Sequence, residues 1–308
     1  EIGKDILIFE QARRRSLMIT TDSVCDLPQA LIREFGISVC PYYVRTEHGR
    51  FLDNLELSPD ELLSHMASGK TGLSQAPDVE DYERFFAQNL TEAQNVIHIT
   101  MARHTSQGYQ NALEAAKSFE NVTVLDSGHL SSSMGLAVLY AASMAENHVP
   151  RAEIAETLKR LRHYISSAFI IDNTHMMCQA GQISKRIRIL CDALLLHPII
   201  MLRNSKMIVS GIEIGSFAHM ARRYIRKMLL NPKNIDRRIL FITYAGLDEE
   251  KLQYIQNLVR QYCPFERIYL QQASAAIASN CGPGSFGLLF VRRNDVNITF
   301  SEASNTTD

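Results

Sequence analysis

Hydroxyl and carboxylate side chains directly follow three apolar, β-branched stretches of the sequence. Thr21-Asp22-Ser23 follows the first stretch, residues 100–106 end the second, and residues 126–131 follow the third. Such groups can bind a polar ligand or move protons, and the ends of parallel strands would place them together at one edge of a sheet. We therefore expect a cleft at this edge, serving either ligand binding or acid–base chemistry.

Asp26 and Ser131 each stand just before a segment with helical character. Because aspartate caps helices and proline suits their first turn, Asp26 before Leu27-Pro28 is interpreted as a helix N-cap rather than as a partner of Asp22. Ser131 is interpreted in the same way, although a helix N-terminus there could also bind an anion. Thr21-Asp22-Ser23 fits a ligand-binding loop and a self-contained polar turn about equally well.

Common catalytic and metal-binding motifs are absent from the sequence. It has no GxGxxG fingerprint, P-loop or nucleophile elbow, so nucleotide hydrolysis and α/β-hydrolase chemistry lack support. The six cysteines form no CxxC pair, so we expect neither a disulfide framework nor a zinc site. The histidines near predicted strand ends also lack metal-ligand spacing, and we expect no metal. These histidines are His98, His104, His129 and His175.

Composition and charge indicate an ordinary folded protein. Of the 308 residues, 46% are hydrophobic and 21% are charged, and the net charge is −1. A balanced charge gives no field that would attract nucleic acid, and no apolar run is long enough to span a bilayer. With no visible signal peptide, we expect a cytoplasmic protein without a nucleic-acid partner or integral membrane association.

Strands alternate with helices through the first half of the sequence. Apolar runs predict strands near residues 16–20, at Ile37–Val44, and near 95–100 and 121–125. Ser58-Pro-Asp-Glu61 is a capping box that predicts the start of a helix. Alternation of this kind predicts a parallel sheet covered by helices on both faces.

A second set of strands and helices follows Asn147-His148. Helical periodicity at residues 216–229 and 249–262 lies between predicted strands at 206–212, 238–244 and 266–271. We therefore predict an N-terminal α/β domain at 17–150 and a second α/β domain at 151–300. Residues 1–16 are expected to be a connector or an upstream remnant, since the sequence starts at Glu1, and residues 301–308 a flexible tail.

These segments, taken in order, resemble the DegV family over nearly the whole chain from Met18 to Val291. Residues 19–28, Ile-Thr-Thr-Asp-Ser-Val-Cys-Asp-Leu-Pro, are similar to the family's strand–loop–helix signature. Leu73-Ser-Gln75 falls on its T-S-Q segment. The other similar segments are Gly36-Ile37, Pro41–Val44, Phe51–Asp53, 106–112, Asp126-Ser127 with Met134-Gly135, Ala180–Ser184, Pro198-Ile199 and Gly282–Gly284. Each is weak alone, but their common order is specific.

The resemblance implies a two-domain α/β fold of the EDD type, with a mixed sheet in the second domain. It implies a binding protein rather than an enzyme, with a long-chain fatty acid as ligand and no cofactor. The acyl tail would lie in an apolar tunnel of the second domain, with the carboxyl group at the interdomain cleft. Several members hand the fatty acid to a separate kinase, so a fatty-acid kinase is an implied partner, and transient membrane contact is compatible with this role.

The residues expected to hold the carboxylate depart from the family's pattern. Leu73 stands at the family's threonine, Asn280 at its histidine and Gln182 at its arginine, while Ala102-Arg103 replaces its paired serines. Arginine pairs bidentately with a carboxylate, and an asparagine amide can donate a hydrogen bond. We expect the carboxylate to be bound by Ser74, Arg103, Ser106 and Asn280, with Thr21, Ser23, Leu73, His104, Gly282 and Gly284 as supporting residues.

Two other functions stay open from the residues alone. A small-molecule enzyme would use Asp22, Ser23 and His129 in an open polar cleft with shifted pKa values. A diverged sensory or regulatory module within a longer chain is the other alternative, suggested by the start at Glu1 and the basic run Arg13–Arg15. A cavity lined chiefly by hydrocarbon would exclude the enzyme.

Overall fold

The computed structural model describes residues 14–172, 174, 178 and 184–293. Most of the predicted connector, His175, the family-like segment around Gln182 and the predicted tail lie outside these residues. The domain boundaries drawn from the sequence stay predictions. The described helices are α1 (Gln29–Glu34), α2 (Pro59–Ala67), α3 (Val79–Glu92), α4 (Gly108–Ala116), α5 (Ser131–Glu146), α6 (Arg151–Leu161), α7 (Lys185–Ala193), α8 (Phe217–Met228), α9 (Glu249–Tyr262) and α10 (Ala275–Cys281).

Thirteen described strands form three sheets. The strands are β1 (Met18–Asp22), β2 (Ser38–Cys40), β3 (Tyr43–Thr46), β4 (Gly49–Leu52), β5 (Leu73–Gln75), β6 (Val96–Thr100), β7 (Val122–Asp126), β8 (Ile165–Ile170), β9 (Leu196–Arg203), β10 (Lys206–Ile214), β11 (Ile235–Tyr244), β12 (Arg267–Gln272) and β13 (Phe286–Arg292). Short 3₁₀ helices cover Ser23–Cys25 and Pro232–Asn234.

The first sheet has the strand order β2-β1-β6-β7, and all its strands are parallel. This confirms the parallel sheet predicted from the alternation of elements. Helices α3 and α4 cover one face, where Tyr82, Phe86 and Ala112 are fully buried. The single strand predicted at Ile37–Val44 is wrong, because the chain leaves this sheet after β2. Pro41 follows directly and has no N–H to continue the ladder.

The second sheet is mixed, with the order β10-β9-β8-β13-β11-β12. Strands β11 and β12 are parallel, and the other neighbours are antiparallel. This confirms the mixed α/β architecture expected for the second half. Helices α8 and α9 pack on one face, against alternate residues of β11 and β13. Pro198, part of the family-like segment, lies inside β9 opposite Ile212.

Helix α5 lies between the two large sheets. It contacts β1 and β6 on one side and β8, β11 and β13 on the other. A helix that packs on both sides must be apolar or small all round, which explains why residues 131–144 are all buried. Gly135 permits the closest approach, since a Cβ there would lie 2.6 Å from the Cys25 carbonyl oxygen. The layers therefore alternate as helices, parallel sheet, α5, mixed sheet and helices.

A small antiparallel sheet, β4-β3-β5, joins the two halves together with α10. Helix α10 packs against α2 and β5, although it follows the second sheet in sequence. Neither this sheet nor α10 was predicted from the sequence, because its strands are at most 4 residues long and α10 spans only 7. Within the described part of the chain, no helix combines the length and apolar character needed to cross a bilayer.

Candidate functional site

The polar loops after β1, β6 and β7 lie at one edge of the first sheet, as predicted. These strands are neighbours and run parallel, so their carboxyl ends coincide. The loops also bond to each other: the Ala102 amide donates to the His129 carbonyl at 2.7 Å, and the Ser127 amide donates to the Thr100 carbonyl at 3.2 Å. This edge faces the second sheet across α5 and α10.

A mostly apolar cavity of about 910 Å³, including the part open to solvent, lies between this edge and the second sheet. Both halves of the chain contribute to its wall. The hydrocarbon part is formed by Val24, Met101, Leu130, Phe169, Ile171, Ile200, Leu202, Met207, Ala245, Ala273, Ala276, Ile277 and Phe286. Its polar lining comes from Tyr42, Ser74, Thr105, Ser131, Thr243, Tyr244, Asn280 and Ser285. The void therefore has the chemistry of a site for a long apolar ligand with a polar end.

Ser74 and Asn280 meet at the cavity wall, although they are 206 residues apart in sequence. The Asn280 amide donates to Ser74 Oγ at 3.2 Å and to the Ala276 carbonyl at 3.1 Å. Because Ser74 Oγ accepts this bond, its own proton can be donated to a ligand. Ser74 is also exposed, so this donor lies at the open end of the cavity. The structure brings these two predicted residues together.

Ser106 contacts the cavity through Tyr42. Tyr42 lines the cavity, and its hydroxyl lies 2.8 Å from Ser106 Oγ, which also accepts from the Gly108 amide at 3.1 Å. Gly108 allows this contact, since a Cβ there would lie 2.3 Å from the Tyr42 oxygen. Tyr42 was not among the predicted residues, and only its place in the Pro41–Val44 family segment pointed to it.

Several other hydroxyls of the wall already donate within the protein. Ser131 donates to Asp26, Thr105 to the Ala102 carbonyl, and Ser285 to the Cys281 carbonyl. Their oxygens can accept hydrogen bonds from a ligand, but their protons are already in use. Thr243 likewise donates to Ser132 Oγ at 2.7 Å. Ser74, Tyr42 and Tyr244 carry the other hydroxyls of the wall, and Ser74 is the exposed one.

Arg103 and His104 lie elsewhere. Arg103 is exposed, with Nε 3.7 Å from Asp126 Oδ2, and it lines a separate, more polar cavity. His104 is exposed and lines neither cavity. The structure does not bring these two residues to the Ser74–Asn280 pair, and their part in head-group binding stays a prediction.

The contacts of the supporting residues Thr21, Ser23 and Leu73 are with other parts of the chain. Thr21 is fully buried and donates to the Ile99 carbonyl at 3.0 Å. Ser23 donates to Asp53 Oδ2 at 2.5 Å and accepts from the Tyr42 amide at 3.0 Å, so it orients a residue of the cavity wall. Leu73 is an exposed residue of β5 that pairs with Arg45.

Gly282 and Gly284 form a tight turn that is closed by its own hydrogen bonds. The Gly282 amide donates to the Ala278 carbonyl at 3.0 Å, and the Gly284 amide donates to the Ala245 carbonyl at 2.9 Å. Both residues have positive φ, which favours glycine. Both amides are therefore bonded within the protein, and the supporting role of this turn stays a prediction.

Asp26 is not the helix cap expected from the sequence. Pro28 is the N-cap residue of α1, without a side-chain cap, and Asp26 has a left-handed backbone. Its buried carboxylate instead accepts from Ser131 Oγ at 2.5 Å and from the Ser274 amide at 2.9 Å. Ser131 is therefore not a cap either. Burial raises the pKa of Asp26 to about 7, which the hydrogen bond from Ser131 opposes.

Three side chains of the first half hold the N-terminus of α10. Its first amides donate to oxygens of Asp26, Asn54 and Asp53, at 2.9, 3.2 and 2.9 Å respectively. Burial raises the pKa of Asp53 as well. Acceptors at a helix N-terminus satisfy its orphan donors and complement its dipole. This joint fixes α10, and with it Ala276 and Asn280, at the cavity.

The residues named for an enzyme do not form one cleft. Asp22 is fully buried, accepts from the Tyr82 hydroxyl at 2.8 Å and lies 3.2 Å from His98 Nε2. His129 belongs to the more polar cavity, and its Nε2 lies 2.8 Å from the Arg162 carbonyl. Neither residue lines the apolar cavity.

Among the described residues, Glu47, His48 and His65 have spacing that could hold a metal ion. Glu47 Oε2 lies 2.8 Å from His65 Nε2, and Lys70 Nζ lies 3.4 Å from the other carboxylate oxygen. Lys70 already pairs with the negative charge of the Glu47 carboxylate that a metal ion would need. Glu47 and His48 are also exposed. None of these residues lines the apolar cavity.

Comparison with known proteins identifies one family for this chain. The model of the DegV family, described as an uncharacterised protein family, matches residues 16–293. A DegV domain-containing protein of Caldanaerobacter subterraneus subsp. tengcongensis is 25% identical over 279 residues, covering 89% of this chain and 98% of the relative.

Solved structures agree with this assignment. A fatty-acid-binding DegV family protein of Thermus thermophilus is 26% identical, with a TM-score of 0.79 over 90% of this chain and 100% of that one. A Thermotoga maritima protein, whose structure revealed fatty acid binding, shares the fold with a TM-score of 0.76 at 20% identity, covering 91% of this chain and 100% of that one. The chain belongs to the DegV family.

Proposed function

We propose that this protein binds a long-chain fatty acid, with the acyl tail in the apolar cavity and the carboxyl group at the Ser74–Asn280 end. The observation that carries the proposal is a cavity with hydrocarbon walls, about 910 Å³ including the part open to solvent, and an exposed hydroxyl donor at its opening. The fatty acid binding of the Thermus thermophilus relative supports the same ligand class.

The apolar wall supplies most of the binding energy in this proposal. Each methylene group transferred from water to such a wall contributes about 0.8 kcal/mol. Phe169 of β8, Ile171 directly after it and Ile200 of β9 pack together in a surface that can contact the tail. Few polar contacts are then needed, and their task is to orient the ligand.

The head group would be held by neutral donors. Ser74 donates its free hydroxyl proton, and the Tyr42 hydroxyl, whose bond with Ser106 can run in either direction, is a second donor. Asn280 supports the site by donating to Ser74 and fixing its orientation. This arrangement leaves the carboxyl group at the open end, where a second protein can reach it. We propose that a fatty-acid kinase is this partner and that the protein itself is a non-catalytic carrier.

Native mass spectrometry of protein purified gently from a bacterial host tests the ligand directly. We expect an added mass that denaturing extraction identifies as a long-chain fatty acid. A protein that carries no such acid, and that binds none when one is supplied in vesicles, would contradict the proposal.

Substitution of the head-group residues tests the orientation. The double variant Ser74→Ala with Asn280→Ala should bind the acid about 10-fold more weakly, because it removes a hydrogen bond to a charged group. Ser64→Ala, at an exposed position of α2 that lines neither cavity, is the matched control. Equal affinities of the two variants would place the carboxyl group elsewhere. Acyl phosphate formation with a purified fatty-acid kinase tests the partner separately.

A further inference from the structure

A second cavity, distinct from the apolar one, is lined by basic residues. It measures about 1440 Å³, including the part open to solvent, and Leu202 lies in the walls of both cavities. Its lining residues include Arg103, Arg162, Arg203 and Arg292 together with His129 and His163. None of the described residues that line it is acidic. This concentration of positive charge contrasts with the net charge of −1 of the whole chain.

The nearest carboxylate of the first half is already occupied. Asp126 Oδ1 accepts from the Gly128 amide at 2.8 Å and from the Arg103 amide at 3.2 Å. Its Oδ2 accepts from Ser205 Oγ at 3.1 Å and pairs loosely with Arg103 Nε at 3.7 Å. Asp126 therefore orders this wall, and it neutralises one arginine in part. Among the described residues, no carboxylate forms an ion pair with Arg162 or Arg203.

Two buried polar atoms of residues in this wall have no hydrogen-bond partner among the described residues. Ser166 is only 5% exposed, and its Oγ is unpaired. His129 is 4% exposed, and its Nδ1 is unpaired. A buried polar atom without a hydrogen-bond partner destabilises the folded protein. We infer that a bound ligand supplies the missing partners of these two atoms.

We propose that this basic cavity binds the phosphate group of a soluble phosphorylated small molecule, independently of the fatty acid. Guanidinium groups match phosphate oxygens bidentately, and Arg162 and Arg203 supply that match from two different elements. Ser166 Oγ donates to a further phosphate oxygen.

His129 adds selectivity among anions. Its Nε2 donates to the Arg162 carbonyl, and burial lowers the pKa of His129 to about 4, so Nδ1 carries a lone pair at neutral pH. Hydrogen phosphate has a P–OH group that can donate to this lone pair, whereas sulfate has no proton to donate. The cavity should therefore prefer phosphate to sulfate.

Isothermal titration calorimetry of the whole chain tests the proposal near physiological ionic strength, with inorganic phosphate, adenosine diphosphate and sulfate as ligands. We expect saturable binding of at least one phosphate compound and weaker binding of sulfate. Arg162→Gln and Arg203→Gln should each weaken phosphate binding by about 10-fold, because each removes a charge-assisted contact. Arg260→Gln, an exposed arginine of α9 outside both cavities, is the control and should not change it.

Ser166→Ala separates a ligand contact from a structural role. Removal of an unpaired buried hydroxyl should raise the melting temperature by about 2 °C, and it should weaken phosphate binding at the same time. Unchanged phosphate affinity in both arginine variants, or no saturable binding at all, would overturn the proposal. Sedimentation with phosphatidylglycerol vesicles, but not with phosphatidylcholine vesicles, in the absence of soluble binding would overturn the soluble ligand and assign the cavity to a lipid headgroup.

Discussion

Asp26→Asn should make the stability of this protein less dependent on pH. Burial raises the pKa of the folded Asp26 to about 7, from an ordinary value of 3.8 for an aspartate. Below pH 4 the carboxyl group is protonated in both the folded and the unfolded chain. Between pH 4 and 7 the unfolded chain ionises and the folded chain does not, so the wild-type protein loses stability as the pH rises. Above pH 7 the loss is complete.

The loss expected from this one carboxyl group is about 4 kcal/mol, at about 1.4 kcal/mol for each pH unit between the two pKa values. Asparagine can preserve the local contacts: its Oδ1 can accept from the Ser274 amide, and its Nδ2 can donate to Ser131 Oγ once that hydroxyl rotates. The variant should therefore gain stability relative to the wild type as the pH rises from 4 to 8.

Urea denaturation across this pH range measures the difference in unfolding free energy between the two proteins. Other ionisable groups largely cancel in that difference. Glu61→Gln provides a control of opposite sign: Glu61 completes the capping box of α2 with Ser58, and this lowers its pKa. That variant should lose stability relative to the wild type as the pH rises towards 4.5, and the difference should stay constant at higher pH. A difference for Asp26→Asn that stays constant with pH would refute our account of this carboxyl group.

Two further predictions concern a close backbone contact and a buried hydroxyl. Gly284→Ala should destabilise the protein by at least about 3 kcal/mol, because φ is +87° and a Cβ would lie 2.4 Å from Asp172 Oδ2. Gly69→Ala, with φ of +85° and no atom near its Cβ, should cost only about 1 kcal/mol, and thermal unfolding of both variants isolates the contact. Tyr224→Phe should cost about 1–3 kcal/mol in urea denaturation, because its buried hydroxyl joins a carbonyl of β8 at 2.7 Å to an amide of β13 at 3.1 Å. A loss of unfolding free energy below about 0.5 kcal/mol would show that water replaces that hydroxyl.

Local signals in the sequence were sufficient for several elements of the fold. The capping box at Ser58 starts α2, and Asp78 caps α3 with Asp81 in the same manner. The run of apolar and small residues after Leu130 indicated a helix, and α5 spans Ser131–Glu146. These features depend on neighbours within a few residues, so the sequence contains them directly.

Family motifs located the head-group region but not the role of each residue in it. Ser74 and Asn280 were predicted to act together, and they meet at the cavity wall. Arg103 was assigned to the same group because it replaces family serines, yet its side chain faces the basic cavity. A position in a loop does not fix the direction of a long, flexible side chain.

Tertiary structure alone decided what Asp26 does. A residue before Leu27-Pro28 has the local pattern of a cap, but its partner Ser274 is 248 residues away in sequence. The same joint positions α10, which the sequence analysis did not identify, and so completes the cavity. Sequence patterns record short-range preferences, whereas the partners of a buried carboxylate and the shape of a void are set only when both sheets pack around α5.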